Sequence, residues 1–89
     1  MAYNIHKAYT GSASWQKVEP RDSARRGWIL QNQSANGGNI LIAGKEPSSD
    51  FSAIELIPNG SLVEDVLGSN DELWIKSVSG ATLTVVLKY

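Results

Sequence analysis

Cysteine is absent from the sequence, and histidine occurs once, at His6. The first absence excludes disulfides and any thiolate zinc site. The second excludes a His-rich metal centre and leaves a Ser-His pair one imidazole, on a segment of little periodicity. No apolar run approaches the roughly 20 residues that span a bilayer. The opening MAYNIHKAYTGSASW also lacks the apolar block of a secretory signal. The protein is therefore expected to be made in a cytoplasm and to leave it only by lysis or within a particle. Charge of one sign is lacking too: eight Lys and Arg stand against nine Asp and Glu, for a formal net charge of −1. That balance speaks against nucleic acid or an acidic membrane as partner.

Motifs of catalysis and cofactor binding are missing as well. Neither G-x-x-x-x-G-K-[ST] nor G-x-G-x-x-G occurs, so no loop is built to cradle phosphate. Glu64 and Asp65 are neighbours on an expected strand, where successive side chains point to opposite faces and cannot form a dyad. Asp71 and Glu72 follow Asn70 at an expected turn, but the spacing of an EF-hand loop is absent. The expectation is a non-enzymatic protein with no cofactor, no metal and no catalytic residue. With 89 residues the chain is one domain, too small to bury a large core, so association with a neighbour is the remaining source of stability.

What the sequence does have is alternation. Trp15–Glu19 reads as a strand closed by Pro20, which cannot donate to a ladder. RRGWILQNQS follows, with Trp28, Leu30 and Asn32 on one face and Ile29, Gln31 and Gln33 on the other. NILIAG is a near-continuous apolar run, the mark of a strand covered on both faces. FSAIELI and SLVEDVL are further strands, separated by the turn PNGS, where proline pre-sets φ and Asn-Gly tolerates the left-handed region. The chain ends in DELWIKSVSGATLTVVLKY, read as a hairpin turning at Ser79-Gly80. Leu73, Ile75 and Ser77 share one face of its first strand; Leu83, Val85, Leu87 and Tyr89 share one face of its second. SANGGN and GSND supply further turns, and VEPRDSARR holds at most one helical turn capped by Asp22. About seven short strands with turn chemistry between them indicate an all-β sandwich, jelly-roll-like or immunoglobulin-like, over residues 15–89.

Residues 1–14 read as an extended N-terminal arm that carries Tyr3, Ile5 and Tyr9. It is either a frayed terminus or a segment that orders across a neighbour. Trp74 alternates against Leu73 and Ile75, so it is either a core residue or an outward anchor. Arg25 and Arg26 are either a solvated strand entrance or partners for carboxylates of an adjacent subunit.

A basic residue followed by WILQNQSANGGNILIAG, IELIPNGSLVEDV and ELWIKSVSGATLTVVL, over residues 24–88, resembles a class of small virion proteins of tailed bacteriophages. The chain departs from that class in its longer aromatic arm and in IPNGS, where the class has a plain Pro-Gly or Ala-Gly turn. The resemblance implies a structural protein of the particle, assembled in the host cytoplasm: a capsid decoration or cement protein, a head-fibre base, or a tail or connector component. Its expected partners are the major capsid protein or other virion proteins, and copies of itself. Tyr3, Ile5, Tyr9, Trp15, Arg25, Arg26 and Trp74 are the candidate contact residues. A carbohydrate- or receptor-binding module, using Trp74 with Asn70 and Asp71, and a tail or connector part are the alternatives.

Overall fold

The computed structural model describes residues 2–33, 38–63 and 70–89. Eight strands run through them: β1 (Asn4–Thr10), β2 (Gln16–Glu19), β3 (Gly27–Asn32), β4 (Ile40–Ala43), β5 (Ile54–Leu56), β6 (Ser61–Val63), β7 (Leu73–Lys76) and β8 (Thr82–Lys88). A single 3-10 turn, Asp50–Ser52, precedes β5. The turn expected at SANGGN lies largely outside the described residues, as do Glu64, Asp65 and the start of GSND.

The strands form two four-stranded antiparallel sheets, in the orders β1-β8-β3-β6 and β2-β7-β4-β5. First pairs with last, second with seventh, third with sixth and fourth with fifth. The chain is one long hairpin rolled over itself, which is the wiring of a jelly roll. The all-β sandwich expected from the sequence is therefore present, and its immunoglobulin-like variant is replaced by jelly-roll order. The seven expected strands correspond to β2–β8.

The eighth strand is the segment read as an arm. Asn4–Thr10 pairs with β8 in unbroken register, from Asn4 opposite Lys88 to Thr10 opposite Thr82. Two side chains tie it down further: the Tyr9 hydroxyl donates to the Glu19 carboxylate, and Lys7 Nζ lies 3.0 Å from Glu19 Oε2. Glu19 is buried, and a buried carboxylate requires such donors. At the chain ends, Tyr3 stacks on Tyr89 with ring centroids 5.2 Å apart. The arm reading was drawn from weak periodicity, and it fails because the sheet ladder depends on backbone groups, which side-chain patterning does not report.

A second correction concerns the closing hairpin. β7 and β8 do not pair; they lie in different sheets, so Ser77–Ala81 is an arch across the edge of the sandwich. Buried Ser77 holds it, its Oγ donating to the Asn39 carbonyl at 2.8 Å and accepting from the Ala81 N–H at 3.0 Å. Gly80 lies at φ +74 with its N–H bonded to the Ser77 carbonyl. The alternation was read correctly, since Leu73, Ile75, Leu83, Val85 and Leu87 are all buried. Both strands bury one face, but they do so from opposite sides of the same core.

That core comprises Trp28, Leu30, Ile40, Ile42, Leu56, Leu73, Ile75, Ala81, Leu83, Val85 and Leu87. Each larger side chain contributes roughly 1.5–3 kcal/mol on burial. PNGS turns as expected: the Gly60 N–H meets the Ile57 carbonyl at 2.8 Å, and Asn59 takes φ 63 behind Pro58.

A Cβ built on Gly80 meets nothing within 4 Å, so substitution there is opposed by backbone conformation alone. Gly80→Val is expected to lower stability by about 1–2 kcal/mol. Gly80→Asn should recover much of that loss, because asparagine tolerates the left-handed region. Urea midpoints check both, and equal midpoints for valine and asparagine would refute the backbone explanation.

Candidate binding face

The outer face of the β2-β7-β4-β5 sheet is built by alternation. Because Leu73 and Ile75 turn inward, Trp74 and Lys76 turn outward. Lys17 of β2 stands opposite Trp74 on one side and Ala43 of β4 on the other. Leu41 stands opposite Lys76. Trp15 precedes Lys17 by two residues and joins the same face.

Each tryptophan is held by a carboxylate that a lysine also reaches. The Trp74 indole N–H donates to Glu72 Oε1 at 2.9 Å, and Lys17 Nζ lies 3.6 Å from Glu72 Oε2. The Trp15 indole N–H donates to Asp50 Oδ1 at 3.1 Å, and Lys76 Nζ reaches the two Asp50 oxygens at 3.0 and 2.9 Å. Both indoles are half-buried, and their donors are fixed at one edge. Phe51, next to Asp50, is fully exposed at 101%.

These contacts set the charge state of the acids. The Lys76 hydrogen bond holds the Asp50 carboxyl below its ordinary value. The Trp74 hydrogen bond does the same for Glu72, with Lys17 adding to it. The Tyr89 hydroxyl likewise lowers Asp22. A carboxyl with a depressed folded value stabilises the fold above its unfolded pKa and loses that contribution as pH falls through the folded one. Melting temperature should therefore fall steadily below about pH 4. Asp50→Asn should flatten that acid limb, and an acid limb unchanged in the variant would show that Asp50 plays no part in it.

A groove of about 850 Å³ is lined by Arg21, Ala43, Gly44, Asp71 and Glu72 among others, and Glu72 is also the partner of Trp74. The Asn70 carbonyl accepts from the Asp22 N–H.

The remaining candidates separate. Tyr3, just before β1, and Ile5 on it are exposed, and Tyr9 is half-buried; Ile5 and Tyr9 belong to the opposite sheet. Arg26 is exposed, its Nη2 donating to the Tyr89 carbonyl at 3.0 Å. Arg25 is 1% exposed, with its guanidinium 4.3 Å from the centre of the Trp28 ring. The pairing of Arg25 with an adjacent subunit is thereby excluded, since the side chain is enclosed within its own domain. Sequence reasoning did not foresee Phe51, Asp50 or the role of Lys76. The acidic turn KEPSSD before the only phenylalanine was the available signal.

The chain matches no known protein family, no characterised protein and no solved structure.

Proposed function

We propose that this chain is a non-enzymatic structural protein of a bacteriophage particle, of the capsid decoration or cement type. Trp15, Trp74 and Phe51 would dock it on a capsid neighbour. The observation that carries this reading is the pair of indoles on one sheet face, each fixed by its own carboxylate and lysine. Aromatic side chains already locked in place lose little entropy on binding, and they are the residues that dominate protein interfaces. The jelly-roll order adds support by analogy, since viral capsid domains use it. Asp50, Glu72, Glu19 and Asp22 are each engaged in holding an aromatic ring or a lysine, an arrangement suited to positioning rather than to proton transfer. Many copies on a symmetric surface would multiply a weak contact.

Trp74→Ala is expected to weaken attachment to particles about 30-fold, the loss of an anchor worth roughly 2 kcal/mol. Thermal stability should fall only modestly, because the indole lies outside the core and only its hydrogen bond to Glu72 and its partial cover are lost. Titration of depleted particles with the variant measures this, and unaltered attachment would refute docking through this face.

A second reading, a carbohydrate-binding module, is favoured by the groove that Glu72, the partner of Trp74, helps to line. Arg21, Asp71 and Glu72 could meet sugar hydroxyls while the indole stacks on the ring. Lectin domains also use the jelly roll. Glycan-array binding that is lost in Trp74→Ala would favour this reading over docking on protein.

A further inference from the structure

Among the described residues, four strands end the two sheets: β1 and β6 in one, β2 and β5 in the other. Two of them are poor templates for another strand: β5 has three residues, and β2 has four with a register shift between Lys17 and Glu19. β6 runs to the limit of the described residues at Val63. Short strands and bulges are the usual protections of a sheet edge. β1 has neither: it runs seven residues without proline and without any irregularity in register.

The ladder shows which of its backbone groups face outward. Tyr3 and Tyr89 exchange both hydrogen bonds, and the Gly11 N–H meets the Ala81 carbonyl. Antiparallel pairing alternates, so Tyr3, Ile5, Lys7, Tyr9 and Gly11 bond to β8. The N–H and C=O groups of Asn4, His6, Ala8 and Thr10 then point away from the sheet. We propose that this edge is a self-association surface, where β1 of a second copy pairs antiparallel about a two-fold axis. This inference does not depend on the particle reading.

Self-complementarity identifies the occupant. Only even-numbered residues present outward groups, so a two-fold register must pair even with even. Centring it on His6 pairs Asn4 with Ala8 of the second copy and sets Ile5 beside the aliphatic stem of Lys7. Ile5 is 37% and Tyr3 55% exposed, and both gain cover in this arrangement. Centring it on Lys7 would instead oppose two ammonium groups, which is unfavourable. The product is one continuous sheet across both copies. A single strand edge buries less than the roughly 1,200–2,000 Å² of a standard interface. The dimer should therefore be weak, with a Kd on the order of 1–100 µM.

Sedimentation equilibrium from about 1 µM to 1 mM should show a monomer–dimer equilibrium. Ala8→Pro removes an outward N–H and leaves the β8 ladder intact, as edge strands permit. It should raise Kd about 100-fold or more with a native far-UV spectrum, because each dimer loses that bond twice. A monomer at all concentrations, or a dimer indifferent to Ala8→Pro, would overturn the proposal. Should Ala8→Pro unfold the protein, cross-linking decides. The chain has no cysteine, so mixing Ile5→Cys with Lys7→Cys protein gives a signal without background. A disulfide in that mixture supports the His6-centred register, and its absence under mild oxidation overturns it.

Discussion

Replacing Arg25 by alanine should lower stability by about 2–4 kcal/mol, a large share of the roughly 5–13 kcal/mol available to a domain of this size. The guanidinium carbon lies over the Trp28 ring, 4.3 Å from its centre, and Nη2 donates to the Asp71 carbonyl. Truncation removes the cation–π contact, leaves the carbonyl without that donor and opens a void against the largest side chain of the core. Relief of the desolvation penalty offsets part of this loss. Arg25→Lys should restore little, since an ammonium cannot cover an indole and reach the carbonyl together. Arg26→Ala should shift stability by less than about 0.5 kcal/mol, being exposed. Chemical denaturation of the three variants tests the contrast, and similar losses at both positions would show that Arg25 is not a core residue.

Asn32→Ala is expected to cost a similar amount, about 2–4 kcal/mol, through a different mechanism. Its Nδ2 donates to the Gly38 carbonyl at 2.8 Å and to the Leu56 carbonyl at 3.0 Å. Asn32 belongs to β3 of one sheet and Leu56 to β5 of the other, so one buried amide bridges the two layers. Alanine leaves both carbonyls without this donor. Aspartate should be worse than alanine, because a carboxylate offers no N–H and brings a buried charge. Urea denaturation orders the variants. Aspartate more stable than alanine would mean that the amide's donors are not what matters.

These two residues show how far the sequence could be read. Asn32 was placed on one face with Trp28 and Leu30 by alternation, and that face proves to be the buried one, but nothing local could name its partners. Arg25 precedes β3, outside any alternating run, and a charged residue in such a place reads as solvated. Its burial follows from Trp28 and Asp71 converging on it from separate strands and turns. Trp74 was left between core and surface by the sequence, and the inward packing of Leu73 and Ile75 settles it outward. The partners that fix the two indoles were less legible still. Asp50 lies 35 positions from Trp15 in the chain, and only the folding of the loop before β5 onto the sheet brings them together.

Alternation, turn chemistry and composition determined the all-β sandwich, the grouping of side chains into the two faces of each well-formed strand and the Asn59 and Gly80 turns, because each depends on neighbours within a few residues. The pairing of strands was decided by tertiary structure. Hydrogen-bond ladders join backbone groups that are alike in every residue, so the sequence does not mark which strand lies beside which. That is why β7 and β8, adjacent in the chain, separate into opposite sheets, and why Asn4–Thr10 closes one of them as a strand.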